Sequence, residues 1–487
     1  MASEGAGEPQ GGSPIGNLLC GSWELAQKIL ENLSFYEVAK LRLVCRTWAD
    51  VGEMILAKRR PLHYLTTHPH CIPTTLGKVA LAETSAVSLF DGFFSHIVSK
   101  PRYCLAFCNA NWLSRTDVFE TTDKSGKKVP LTLAEYLHKA LPPSCELGVI
   151  LATGIIGTVE TAYQGNWLER AQTLNQEIFD FLEGAEDEDA TQGQPSKRIR
   201  RENENRNKEE AEKKTKKMLK PWKSNVGYSI EVEQYSPFML EADAVSILTI
   251  PYHPGVRVNF FNISSQKFYS DFRGGRASAK KNLVISEKEF NEMLSLSANE
   301  HMTALLLFET CYDNDFTNGF VKAALNREDY KVALGGGVAD AFQTGRSGKF
   351  APVTDQIFGV AVSGPNIMAA SVVIPENVDN PRHLGRYMKM LKSCEFPERQ
   401  SVAFMFTCCG RGHSSWQPIP NFNYENVESK AFRKVFPNTP IFGFFGRGEL
   451  GITYLPRFPE GEETAPVKRK KKPFHQFSTI IVLLSFL

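Results

Sequence analysis

The chain has 487 residues, enough for two or three domains, and its 42% apolar content is ordinary for a folded protein. A formal charge of +2 gives no global pull toward nucleic acid or membrane, so any basic partner site must be local. Ten cysteines with no CxxC pair do not read as a disulfide framework, which points to a reducing compartment: cytosol, nucleus or both.

Residues 1–20 read as a disordered N-terminus, Gly/Glu/Ser-rich and without the apolar core of a secretory signal. From Trp23 apolar positions recur at Leu25, Ile29, Leu30 and Leu33, one face of a helix, with Ser22 at its N-cap. Ser34 and Glu37 have the spacing of a capping box for a second helix. That helix is expected to carry Val38, Leu41, Val44, Cys45 and Trp48. A third pattern (Val51, Met54, Ile55, Leu56) runs to Lys58-Arg59-Arg60 and stops at Pro61.

Some 40 residues rarely bury enough apolar surface to fold firmly alone, so this module either docks on the rest of the chain or binds another protein. The order Leu25, Ile29, Leu33, Leu41, Val44-Cys45-Arg46-Thr47-Trp48 resembles the F-box. Two departures stand out: Ser22-Trp23-Glu24-Leu25 replaces the usual opening Leu-Pro, and Ser34 replaces a second proline. The resemblance implies binding to the Skp adaptor of a Skp–cullin–F-box ubiquitin ligase, and through it to the cullin and RING subunit. Leu25, Ile29, Leu33, Leu41, Val44 and Trp48 would be the adaptor-facing or core-forming set.

Residues 61–146 mix short apolar runs with a helical pattern near Leu131 to Leu141. His68-Pro69-His70-Cys71 reads as a loop, not a metal site, and Cys104 and Cys108 as buried thiols. Leu147 to Gly157 is a strand with glycine turns. The segment 184–227 breaks the composition. It is first acidic, then basic, and has the charge density of a disordered or solvated insertion. Lys197, Arg198, Arg200 and Arg201, followed by Lys213 and Lys214, have the spacing of a bipartite nuclear import signal. Lys468, Arg469, Lys470, Lys471 and Lys472 look like a monopartite one.

Beyond the insertion, apolar runs of strand length recur at 244–251, 256–261, 304–308 and 332–338. A hairpin-like pair (357–363 and 369–374) is expected around Gly364-Pro365, then a helix near Leu384 to Leu391. Two further runs, Val402 to Phe406 and Ile441 to Phe445, each stop at Gly-Arg-Gly, with a short helical pattern between them. Phe404-Met405-Phe406, Cys408, Gly410-Arg411-Gly412, Ala431-Phe432-Arg433-Lys434 and Phe442-Gly443-Phe444-Phe445-Gly446 with Gly448-Glu449 resemble the C-terminal half of a FIST domain. The resemblance covers most of the chain from about Gly148 on, apart from the insertion. The apolar end, Phe477 to Leu487, is too short to span a bilayer and reads as a final strand.

The expected fold is α+β, a three-helix F-box followed by a layered α/β FIST-like domain with mixed sheets. Its divisions are 22–60 (F-box), 61–146 (a connecting region or N-terminal part of the FIST-like region), 147–183 with 228–452 (FIST-like), 184–227 (insertion) and 453–487 (basic segment and final strand). Cys408, Gly410, Arg411, Gly412, Gly446, Arg447 and Gly448 are the residues expected near a ligand or substrate: glycine amides plus two arginines suit an anion. No phosphate-loop or dinucleotide fingerprint is present, and no cofactor, metal, membrane or nucleic acid is expected. The resemblance implies a non-catalytic receptor that presents target proteins for polyubiquitination and proteasomal degradation, in cytoplasm and nucleus. Two alternatives are a small-ligand sensor, in which Arg411 and Arg447 share a pocket, and a thiol enzyme centred on Cys408 with His413.

Overall fold

The computed structural model describes residues 22–67, 89–109, 112, 118–123, 125–159, 228–232, 244–274, 283–310, 315–344, 356–412, 415–416, 426–456 and 472–487. The insertion 184–227, His413 and the basic residues Lys197 to Lys214 and Lys468 to Lys471 lie outside them; Lys472 is exposed.

The chain opens with three helices, Trp23–Leu30, Phe35–Leu41 and Arg46–Lys58. Ser22 Oγ caps the first, 3.3 Å from the Leu25 amide. Ser34 and Glu37 form a reciprocal capping box on the second. The second helix ends at Leu41, earlier than its apolar spacing suggests. Val44 therefore lies in the connection, and Trp48 belongs to the third helix, where it is buried. The apolar positions continue in phase by chance across a real break, so periodicity alone merges the two helices.

The body is built from three mixed sheets of one plan. The first has the spatial order His63–Thr67, Val245–Pro251, Pro101–Asn109, Glu146–Ala152, Ala341–Thr344. The second runs Phe474–His475, Glu449–Gly451, Ala333–Val338, Met302–Glu309, Gln356–Ser363, Arg257–Ser264. The third runs Ile367–Ile374, Thr479–Phe486, Ser401–Cys408, Ile441–Gly446, Gly154–Val159, Tyr228–Val232. In each, a parallel pair sits inside antiparallel neighbours on both sides. The two strands of each pair are joined across a helix: Leu133–Ala140, Asp315–Arg327 or Val427–Val435. Parallel neighbours require such a crossover.

After each pair the chain turns a corner of one or two residues and enters another sheet. The first sheet lends Gly154–Val159 to the third, the third lends Glu449–Gly451 to the second, and the second lends Ala341–Thr344 to the first. This cyclic exchange makes the body three copies of one unit. Residues 63–67 and 101–109 are strands of the first sheet, so the 61–146 region contributes to the body. The exchange also corrects one expectation. Strands Gln356–Ser363 and Ile367–Ile374 do not form a hairpin, because they end one unit and begin the next in different sheets.

Phe107, Phe308 and Phe406 stand one per unit on the first strand of each pair, within a single core cluster. The ring of Phe308 lies 6.2 Å from that of Phe107 and 5.6 Å from that of Phe406. Such aromatic contacts add about 0.5–1.5 kcal/mol each to simple burial. Gly336 and Gly443 occupy matching places on the second strand of their pairs, at φ +151° and +153°. A Cβ at either would stand 1.8 Å from a carbonyl oxygen of the neighbouring strand, Leu307 or Met405.

Candidate functional site

Two regions carry the expected site residues: the helical module, and the strand ends at Cys408 and Gly446. The module is anchored to the body by polar contacts with backbone groups. The Arg59 guanidinium donates to the carbonyls of Leu33 (2.7 Å), Leu30 (2.9 Å), Glu31 (3.0 Å) and, on the body, Val98 (2.9 Å). It thereby satisfies carbonyls left open where the first helix ends. The Phe35 amide donates to Ile97 O at 2.7 Å, and the Tyr36 hydroxyl donates to Ala140 O. Burial pushes that phenol up to about 12, so it stays a donor.

One face of the module is therefore covered. Trp48 is buried, and Ile29, Leu33 and Leu41 pack against the cluster that joins the helices to the first sheet. Trp48 is a core residue, and the other three are partly buried against that core. Leu25 is half-buried, and Val44 is 55% exposed. Two further apolar side chains are exposed: Trp23 (43%), first residue of the first helix, and Leu43 (87%), beside Val44 in the connection. Among the described residues, three of the seven exposed large apolar side chains fall in this short module. Leu43 escaped the sequence reading, because the apolar spacing carries the second helix on through Val44 to Trp48 and hides the break at Leu41. Trp23 gave no signal beyond marking the helix start.

The glycine corner is organised differently from the expectation. Arg411 is 4% exposed. Its Nε lies 3.0 Å from Glu428 Oε1, Nη2 donates to Val378 O at 2.7 Å, and Nη1 donates to Pro375 O and Phe477 O at 3.3 Å. Its guanidinium also sits 5.0 Å from the centre of the Trp416 ring. With its donors committed, Arg411 clamps three segments together and does not serve an anion. Arg447 is 69% exposed and pairs with Asp340 at 3.0 Å, tying the corner of one unit to that of another. A cavity of 310 Å³ is lined by Glu376, Asp379, Gly410, Arg411, Ser415 and Phe477. Arg447 does not line it, and two of its lining residues, Glu376 and Asp379, are acidic. The shared anion pocket is not formed.

Gly446 and Gly448 flank Arg447 at the sheet-switching corner, and a Cβ on Gly446 would meet Val338 O at 2.7 Å. Gly412 is buried. Cys408 ends its strand, buried, and its thiol is pushed upward, first by hydrogen bonding with Cys409 and then by burial. The half-buried Cys409 is lowered to about 7 by the same contact. Glu449, 1% exposed, accepts from the Ser478 amide (3.0 Å) and hydroxyl (2.8 Å) through Oε2. Burial first, then the Cys408 thiol, pushes its carboxyl up to about 9. Cys408 and the neighbouring carboxyl are both pushed toward their protonated forms, and His413, the expected base of a thiol enzyme, lies outside the described residues. Among the described residues no group of three His, Cys, Asp or Glu could hold a metal ion.

The F-box domain family matches residues 22–54. Over 209 residues the chain is 30% identical to F-box only protein 22 of Homo sapiens and of Pongo abelii. The alignment covers 42% of this chain and 50% of each relative, so the chain spans about half the length of the curated relatives it matches. Among solved structures, a cyanuric acid hydrolase from A. caulinodans aligns over 50% of this chain and 75% of its own at 6% identity. Its TM-score is 0.24, too slight a likeness to carry an argument. This is an F-box-containing chain, similar over 42% of its length to F-box only protein 22.

Proposed function

We propose that the protein is a non-catalytic substrate receptor of a Skp–cullin–F-box ubiquitin ligase. The F-box would bind the Skp adaptor and through it the cullin and RING subunit. The α/β body would hold a target protein for polyubiquitination and proteasomal degradation. The mechanism is proximity: fixing target and charged E2 in one assembly raises the effective concentration of target lysines. The observation that carries this reading is the module's two-sidedness. Trp48, Ile29, Leu33 and Leu41 fasten it to the body, while Trp23, Leu43 and Val44 stay open to solvent. A merely docked cap would have no use for the exposed set. The basic clusters Lys197 to Lys214 and Lys468 to Lys472 would add nuclear access to a cytoplasmic distribution.

The test is co-purification with the Skp adaptor and cullin, comparing wild type with a Leu43→Asp/Val44→Asp variant. Both positions are exposed, so thermal unfolding should be unchanged while affinity falls about 100-fold, the scale of losing central apolar anchors. A wild type that fails to bind, or a variant that binds equally well, would overturn the receptor reading.

A further inference from the structure

We propose that the cavity beside Arg411 takes the guanidinium of an arginine side chain on a target protein; the partner, though not the site, rests on the receptor reading. The cavity has a volume of 310 Å³ and is lined by Glu376, Asp379, Gly410, Arg411, Ser415 and Phe477. Its wall is built on the buried Arg411. Nη1 donates to Pro375 O and Phe477 O at 3.3 Å, and Nη2 donates to Val378 O at 2.7 Å. Pro375 and Val378 immediately precede the lining carboxylates of Glu376 and Asp379, and Phe477 is the lining ring itself. One guanidinium thus fastens the segments that supply two acids and an aromatic face.

These groups are reachable from outside. Glu376 is exposed and Asp379 half-buried. Phe477 is 54% exposed, although a large aromatic side chain gains most from burial. Its ring lies against the glycine: a Cβ on Gly410 would stand 2.8 Å from Phe477 Cε1, so glycine leaves the ring its place. The charge of Arg411 is met by Glu428 at 3.0 Å. The uncompensated sign at the wall is therefore that of the carboxylates.

Carboxylates beside an open aromatic ring suit an organic cation, drawn by the acids and by the negative face of the ring. The same corner shows which cation fits. Arg411 is held by the Glu428 carboxylate with its guanidinium 5.0 Å from the centre of the Trp416 ring. A planar guanidinium bonds a carboxylate at its edge and lays its face on a ring, whereas the compact ammonium of lysine has no flat face to offer. Glu376, Asp379 and Phe477 repeat that acid-and-ring set at the cavity. Its 310 Å³ is the liquid volume of about ten waters, room for one arginine side chain.

The probe is N-acetylarginine N-methylamide, titrated into the folded full-length protein and followed by saturation-transfer NMR, with near-UV circular dichroism as the fold check. Wild type should bind it saturably and more tightly than the lysine analogue, and added salt should weaken binding. Glu376→Gln and Phe477→Leu should each weaken binding about threefold, and together about tenfold, the scale of exposed ion pairs and cation–ring contacts. Both positions are exposed, so the fold should be unchanged. If Phe477→Leu does not fold, Glu376→Gln still decides. No saturable binding to folded wild type, equal binding of the lysine analogue, or unchanged binding by Glu376→Gln would overturn the site. Adaptor co-purification on the same preparation keeps the two proposals apart. Probe bound without adaptor would sink the receptor reading and leave the site, and adaptor bound without probe would do the reverse.

Discussion

Glu449→Gln should stabilise the protein, and increasingly so as pH rises. The wild-type carboxyl is 1% exposed, has one oxygen on the Ser478 amide and hydroxyl, and leaves the other unpartnered. Its folded value is about 9, against 4.5 for an ordinary glutamate. Between those values the folded state keeps the proton and the unfolded chain releases it. Wild-type stability therefore falls as pH rises through that window, by about 1.4 kcal/mol per pH unit for this group. From the bottom of the window to pH 7 the loss is on the order of 3 kcal/mol. Glutamine keeps an oxygen for Ser478 and carries no proton to lose. Urea unfolding of both forms at pH 5, 6, 7 and 8 should show a gap below about 1 kcal/mol at pH 5 that widens at each step. A gap that stays constant from pH 5 to pH 8 would refute the assignment of a buried, protonated Glu449.

Three further substitutions test the frame that positions the sites. Arg59→Ala removes donors from four carbonyls and should cost about 2–3 kcal/mol, seen as a lower urea midpoint and faster proteolysis between module and body. Gly443→Ala forces a Cβ to within 1.8 Å of Met405 O at a positive φ. It should cost at least about 3 kcal/mol, read as lost soluble yield or a lowered melting temperature, and Gly336→Ala should behave alike.

The strands were legible where burial on both faces makes the code simple: Leu305 to Phe308, Val402 to Phe406 and Ile480 to Leu484 are continuous apolar runs, as strands buried within a core must be. The capping residues Ser22 and Ser34 were equally plain, because their chemistry is local. The threefold plan was not legible. Its recurring signature is only Leu-Ala-Phe, Leu-Leu-Phe and Phe-Met-Phe before the first corner of each unit. The spacing between copies is uneven because the charged segment 184–227 falls inside the first unit. Which sheet receives a strand is decided by contacts hundreds of residues apart, such as Phe444 with Ile155, and local patterning holds no record of them.

The two Gly-Arg-Gly corners show why residue type alone misassigned the site. Both end an apolar strand, and both could offer amides and a cation to an anion. After the first, the chain carries Arg411 inward, where leaving a guanidinium unpaired would be costly, so Glu428 and three carbonyls enclose it. After the second, the chain switches sheets within two residues, and Arg447 is left at the surface to meet Asp340 from another unit. The same tripeptide thus becomes a buried clamp in one place and a tie between units in the other. Burial separates the two, and burial here follows from the exchange of strands. At the first corner the carboxylates of Glu376 and Asp379 line the cavity beside the enclosed guanidinium, so the corner offers no uncommitted cation of the kind that its Gly-Arg-Gly sequence suggests.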